Sequence, residues 1–163
     1  MSDHVDRTAE WDALRSQYLQ PAGQRPTSTG RGVHHVVALS SDVERTINFY
    51  QGLLGFPLTE VFENRDYPGS THFFFDVGNG NLLAFFDFPG LGLGEYREVL
   101  GGLHHIAIAV DPETHQRLRQ AVTDAGVTID FDFETSIYFA GPDGERIELI
   151  ADDLGTMYGE AVN

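Results

Sequence analysis

The chain has 163 residues, 41% hydrophobic and 21% charged, enough for one domain with a sizeable core. Its 25 acidic residues outnumber ten basic ones, all arginine, for a formal net charge of −15; such a surface repels phosphate backbones and anionic lipid, which argues against nucleic acid and membranes as partners. Without lysine there is no Schiff-base chemistry and no P-loop, and without cysteine no disulfide, thiolate nucleophile or sulfur-ligated metal.

Residues 1–31 read as a polar leader with no apolar segment of signal-peptide character, so a cytoplasmic protein is expected. Within it Trp11, Leu14 and Tyr18 fall at i, i+3 and i+7, one stripe of a short helix expected to dock on the domain or on a second subunit. QPAGQRPTSTGRG (20–32) follows as a linker. A domain is expected over 32–152 and a tail over 153–163.

From Val33 the pattern is strand, helix and three strands. GVHHVVAL predicts a strand over 33–39, and Ser41 with Glu44 forms a capping box. Val43, Ile47, Tyr50 and Leu54 make the helix stripe, which Gly55 ends. Strands are predicted over 57–64, 70–77 and 81–88, the last two joined by the GNG turn at 78–80. A glycine-rich connector spans 89–101, and the order restarts: strand over 103–110, helix capped by Asp111 with Pro112 and ended by Gly126, strands over 127–133, 136–141 and 146–152. The whole is an α+β domain of two βαβββ modules, 32–88 and 102–152.

A His-His pair opens each module, His34–His35 and His104–His105. Neighbours in a strand point to opposite faces, so one His of each pair faces the inner side of its sheet. Two modules related by approximate twofold symmetry bring those histidines together, and imidazole is a common transition-metal ligand. Glu148, between Ile147 and Leu149, is an acidic residue in an apolar strand, costly to bury unless paired or ligating. Glu145 abuts the PDG turn and reads as solvated. Counting from the hairpin glycines, Gly80 matches Gly144, Ala84 matches Glu148 and Phe74 matches Tyr138. The set is then two His and one Glu, with Ala84 where a fourth ligand would stand.

HHVVALSSDVERTINFYQGLLGFPL, HHIAIAVDPETHQRLRQAVTDAGV and IYFAGPDGERIEL together resemble the vicinal oxygen chelate superfamily, which includes glyoxalase I, bleomycin and fosfomycin resistance proteins and extradiol dioxygenases. The resemblance covers about residues 32–152 and implies paired βαβββ modules around a cup-shaped metal site. Carried over by position, it implies His35, His105 and Glu148 as ligands of a divalent metal, Fe(II) first, with Mn, Zn or Ni also compatible. Glyoxalase and epimerase members usually place a ligand where Ala84 stands, whereas dioxygenases use two His and one Glu. Some ring-cleaving members also double the histidines and place a Tyr ten residues before the ligand Glu, as Tyr138 stands before Glu148.

The function expected is therefore an extradiol-type dioxygenase acting on a small aromatic diol. Tyr138 would donate to an oxyanion, and His34 or His104 would serve as acid or base. His72, Phe74, Phe86 and less firmly Phe85 would line the substrate pocket. Two alternatives stand beside it: a non-redox lyase, isomerase or transferase using the same metal set, and a metal-free drug-binding protein. A homodimer is expected, because two small sheets leave edges and aromatic faces to cover.

Overall fold

The alternation in THFFFD decides which way the first sheet faces. Phe73 and Phe75 are fully buried on one side, while His72 and Phe74 lie half-buried on the other. The computed structural model describes residues 5–157 and 160–162. Its elements are helix α1 (Thr8–Tyr18), strand β1 (His35–Leu39), helix α2 (Val43–Ile47) continued by a wide π-type turn (Asn48–Leu53), and strands β2 (Leu58–Glu63), β3 (Thr71–Asp76) and β4 (Leu82–Phe86). The second module repeats them as β5 (Ile106–Ala109), α3 (Pro112–Asp124), β6 (Ile129–Asp132), β7 (Ser136–Ala140) and β8 (Arg146–Ile150). A small hairpin of β9 (Thr156–Met157) and β10 (Glu160–Ala161) follows in the tail, where no strand was predicted.

The two sheets have the same topology. Strand order is β1-β4-β3-β2 in the first and β5-β8-β7-β6 in the second. The opening strand of each lies parallel to the closing strand, and the other pairs are antiparallel. Ala84 stands beside Val37 and Phe74, and Glu148 beside Ala107 and Tyr138, so the predicted correspondence of Ala84 with Glu148 holds in the register.

The helix of each module starts at an aspartate. Asp111 accepts from Thr114 N, as expected. In the first module the cap is Asp42, which accepts from Arg45 N at 2.9 Å, and not Ser41. Ser41 is taken instead by Asp143 of the second module, to which its backbone N and its hydroxyl both donate.

One apolar cluster serves both modules. Phe73, Phe75, Leu83 and Phe85 from the first sheet meet Ile137, Phe139, Ile147 and Leu149 from the second, with Tyr50, Leu54, Leu118 and Val122 from the helical segments. Burying each large side chain of this kind contributes about 1.5–3 kcal/mol. Phe85 is therefore a core residue and not a pocket wall. Polar contacts reinforce the joint: Arg45 Nη2 to Asp143 Oδ1 at 2.7 Å, and Tyr50 Oη to Glu145 Oε1 at 2.6 Å. The modules meet through their helix-bearing faces. The opposite faces, which carry the predicted site residues, are left for other partners.

Candidate metal centre

The second module assembles most of a site. Ala107 and Glu148 are partners across β5 and β8, which places His105, at the entry to β5, next to Glu148. His105 Nε2 lies 3.0 Å from Glu148 Oε2. The other carboxylate oxygen accepts from the hydroxyl of Ser136, its near neighbour on β7. Glu148 is only 6% exposed, and no arginine pairs with it among the described residues. A buried carboxylate without a cation is costly. A divalent ion held by His105 and Glu148 would remove that cost, so this donor set fits a metal.

Hydrogen bonding also settles the ring tautomers. Arg146 Nη1 can only donate, and it lies 2.8 Å from His104 Nε2, which must accept. His104 therefore carries its proton on Nδ1 and gives it to His105 Nδ1, 2.7 Å away. The proton of His105 is left on Nε2, facing Glu148. A metal taking that nitrogen requires the His105 proton to move to the other ring nitrogen, a change of tautomer that the His104 contact must accommodate. Glu98 holds Arg146 in place at 2.6 Å.

Tyr138 stands at the edge of the same site, its ring 5.4 Å from that of His105 and nearly perpendicular to it. Phe131 and Phe133 flank Tyr138 on the neighbouring strand, their rings parallel to within 2°. Sequence reading missed these two, although the alternation in IDFDF puts them on Tyr138's face. Ser136 was missed as well; a small polar residue at a strand start carries no signal until its partner is known.

The first module supplies the mirror half. His35 touches His34 through the two Nδ1 atoms at 2.9 Å and lies edge-on to Phe74. His72 is enclosed by Phe62, Phe74 and Phe86. Its Nε2 is buried without a hydrogen-bond partner, and burial, with His35 nearby, holds its pKa below the ordinary value. His72 occupies the place that Ser136 takes in the other module, as Ala84 takes that of Glu148.

The two halves do not meet within the chain. Among the described residues no three His, Asp or Glu side chains gather where they could share a metal ion. His35 lies apart from His105 and Glu148. Glu145, read as solvated, is buried and turned into the module joint, where it accepts from Tyr50 and from Asp143 N. A cavity of about 1110 Å³ runs beneath the connector, bordered by Leu39, Phe88, Leu93, Tyr96, His105 and Arg146.

Residues 32–149 match the family model of the glyoxalase/bleomycin resistance protein/dioxygenase superfamily, most of the chain and both modules. The chain belongs to that superfamily. Among curated members, MhqA of Bacillus subtilis (strain 168), named for a ring-cleaving dioxygenase activity, is 30% identical over 138 residues, covering 78% of this chain and 42% of MhqA. The chain thus spans less than half the length of this superfamily relative. A solved structure from B. subtilis strain 168, described as a dioxygenase, superposes with TM-score 0.62 at 25% identity over 73% of this chain and 40% of that one. The fosfomycin resistance protein FosX from Listeria monocytogenes, solved with Mn(II) and sulfate, gives TM-score 0.56 at 22% identity over 77% of this chain and 96% of FosX. That likeness shows the superfamily fold.

Proposed function

We propose that this chain is a metal-dependent ring-cleaving dioxygenase of the superfamily, acting on a small aromatic diol at a site that two copies build together. The observation that carries the reading is the meeting of His105 and Glu148 at 3.0 Å, opposite a module that offers His35 and, at the carboxylate's place, only Ala84. Two His and one Glu form the facial set of non-haem Fe(II) oxygenases, with adjacent positions left open. The relatives named for ring cleavage support the same choice.

The two-copy site follows from the joint inside each chain. Tyr50, Phe49 and Arg45 bind the second module by the helix side, so each histidine face awaits a complementary face from elsewhere. A second copy brings the missing half twice over: His35 of one copy to His105 and Glu148 of the other, and the reverse.

A bound divalent ion supplies Lewis acidity there and, as iron, the redox capacity that dioxygenation requires. The chain's own residues do the rest. Ser136 fixes one carboxylate oxygen and leaves the other to ligate. His104, clamped by Arg146, orients His105 and exchanges a proton through its Nδ1; His34 is the equivalent group on the other half. The Tyr138 hydroxyl would donate to an anionic substrate oxygen. Phe74 and Phe86 give a flat ring its walls, and the unpartnered His72 Nε2 between them can meet a polar ring substituent.

A lyase, isomerase or transferase could use the same three ligands, and the FosX neighbour was solved with Mn(II). The deciding experiment is anaerobic loading with Fe(II), addition of nitric oxide, and EPR with and without catechols and hydroquinones, followed by oxygen uptake. A nitrosyl signal that shifts with a ring diol, and oxygen consumption lost on replacing iron by zinc, are expected. Activity on a carbonyl or epoxide substrate with Zn, Ni or Mn alone would overturn the dioxygenase reading. The shared site has its own test: His35→Ala and Glu148→Ala copies, co-expressed and pairing at random, recover about a quarter of the wild-type metal content, one intact site in every mixed dimer, while each variant alone does not.

A further inference from the structure

The helix α1 is formed, yet none of its residues is buried. Trp11, Leu14 and Tyr18 lie along one stripe and are 43%, 47% and 71% exposed. An isolated helix of 11 residues is marginal in water and draws its stability from docking an apolar face. The same chain carries a second unpartnered aromatic surface. Phe131 and Phe133, on and just beyond the edge strand β6, are 52% and 57% exposed and stack in parallel, a flat ledge at the rim of the His105 half-site.

Charge says what the arm can approach. In residues 1–31 four arginines balance four acidic residues, so the whole −15 resides in 32–163. Two such bodies repel, and the neutral arm is the part best able to approach another copy. Arg7 and Arg15 flank the stripe, held only by exposed pairs to Glu10 and Asp12 that are worth little and readily exchanged. Asp130, Asp132 and Glu134 flank the ledge. Between arm and body, residues 20–34 would reach about 50 Å if extended. Within one chain the stripe and the ledge remain apart, both exposed. Each copy has one of each, which is what a closed twofold exchange requires.

We propose that α1 of each copy docks its Trp11–Leu14–Tyr18 stripe on the Phe131–Phe133 ledge of a second copy, closing over the rim of that copy's site. The proposal rests on the two-copy assembly and needs neither the metal nor the reaction, so a dimer that binds no metal still tests it.

Trp11 is the sole tryptophan, so its fluorescence reads docking directly in the metal-free full chain. In the dimer, confirmed by sedimentation, emission is expected to be blue-shifted and acrylamide quenching several-fold weaker than for a free indole. Leu14→Asp, or Phe131→Ser with Phe133→Ser, returns Trp11 to solvent. The decisive mixture co-expresses a Trp11→Phe copy with a copy bearing the double Phe131→Ser, Phe133→Ser change. The remaining Trp11 then sits on the arm of the ledge-less copy, and its protection returns only by docking on the other chain's intact ledge. A solvent-exposed Trp11 in the wild-type dimer, a chain monomeric at all concentrations, protection that survives loss of the ledge, or failure of the mixture to restore it would each overturn the proposal.

Discussion

Tyr50, on the helical segment of the first module, donates a 2.6 Å hydrogen bond to Glu145 on the second. Both are buried, and the other carboxylate oxygen takes the backbone N–H of Asp143. The contact ties module to module. Tyr50→Phe leaves a buried carboxylate one donor short. It should cost about 1–3 kcal/mol in urea or thermal unfolding, while its Phe75 and Phe85 ring contacts persist.

Burial raises the Glu145 carboxyl above its ordinary 4.5, outweighing the bonds from Tyr50 and Asp143. The folded state therefore holds that proton more tightly than the unfolded chain, and the charged form costs stability as pH rises through the folded value. Glu145→Gln keeps both contacts if the Tyr50 hydroxyl turns to accept. Melting temperature should then equal or exceed wild type at neutral pH, with the advantage vanishing as pH falls below about 4.5. A penalty that is the same at all pH values would contradict this.

Ser136 donates its hydroxyl to Glu148. Ser136→Ala frees one carboxylate oxygen to rotate, and losses of this kind lower metal affinity by about 10- to 100-fold. Competition against a chelator measures it. Ser136→Thr, which keeps the hydroxyl, should recover most of the affinity.

His115 is buried on α3, with Nε2 unpartnered. Burial, then the charge of Arg119, lowers its pKa, against smaller opposing pulls from a hydrogen bond to the Leu149 backbone and from Asp132. The unfolded chain takes the proton first, so stability is lost as pH falls below about 6.5, towards the folded value. His115→Leu removes both the orphaned nitrogen and the titration. It gives up the bond to the Leu149 backbone, so the readout is the pH dependence: stability relative to wild type should be higher at pH 5 than at pH 8, with a flatter slope between them.

The two modules were legible because their signals are local: alternation in THFFFD and SIYFAG, Asp111 before the second helix, Gly55 and Gly126 after. Gly55 and Gly126 do adopt positive φ, 76° in both. What escaped depends on partners distant in sequence. Ser41 has the pattern of a cap, yet Asp143, a hundred residues on, takes its hydroxyl and leaves capping to Asp42. Glu145 sits beside a turn that reads as solvent, and only Tyr50 makes it interior. Alternation says which residues share a face. It is silent on which faces meet, so His105 and Glu148, on adjoining strands, could be paired from sequence, while His35 could be assigned only to a face.

In the proposed two-copy pocket the exchange of a carboxylate for a methyl group at Ala84, with Phe74 against Tyr138 and His72 against Ser136, would give two unlike sides. Around a symmetric pocket a flat substrate could settle in either of two equivalent orientations and yield mixed products. With Glu148 on one side and Ala84 on the other, the two orientations differ in energy. If the proposed reaction holds, a ring bearing unlike substituents would then be presented one way round, and regiochemistry would follow from the unequal halves of the duplication.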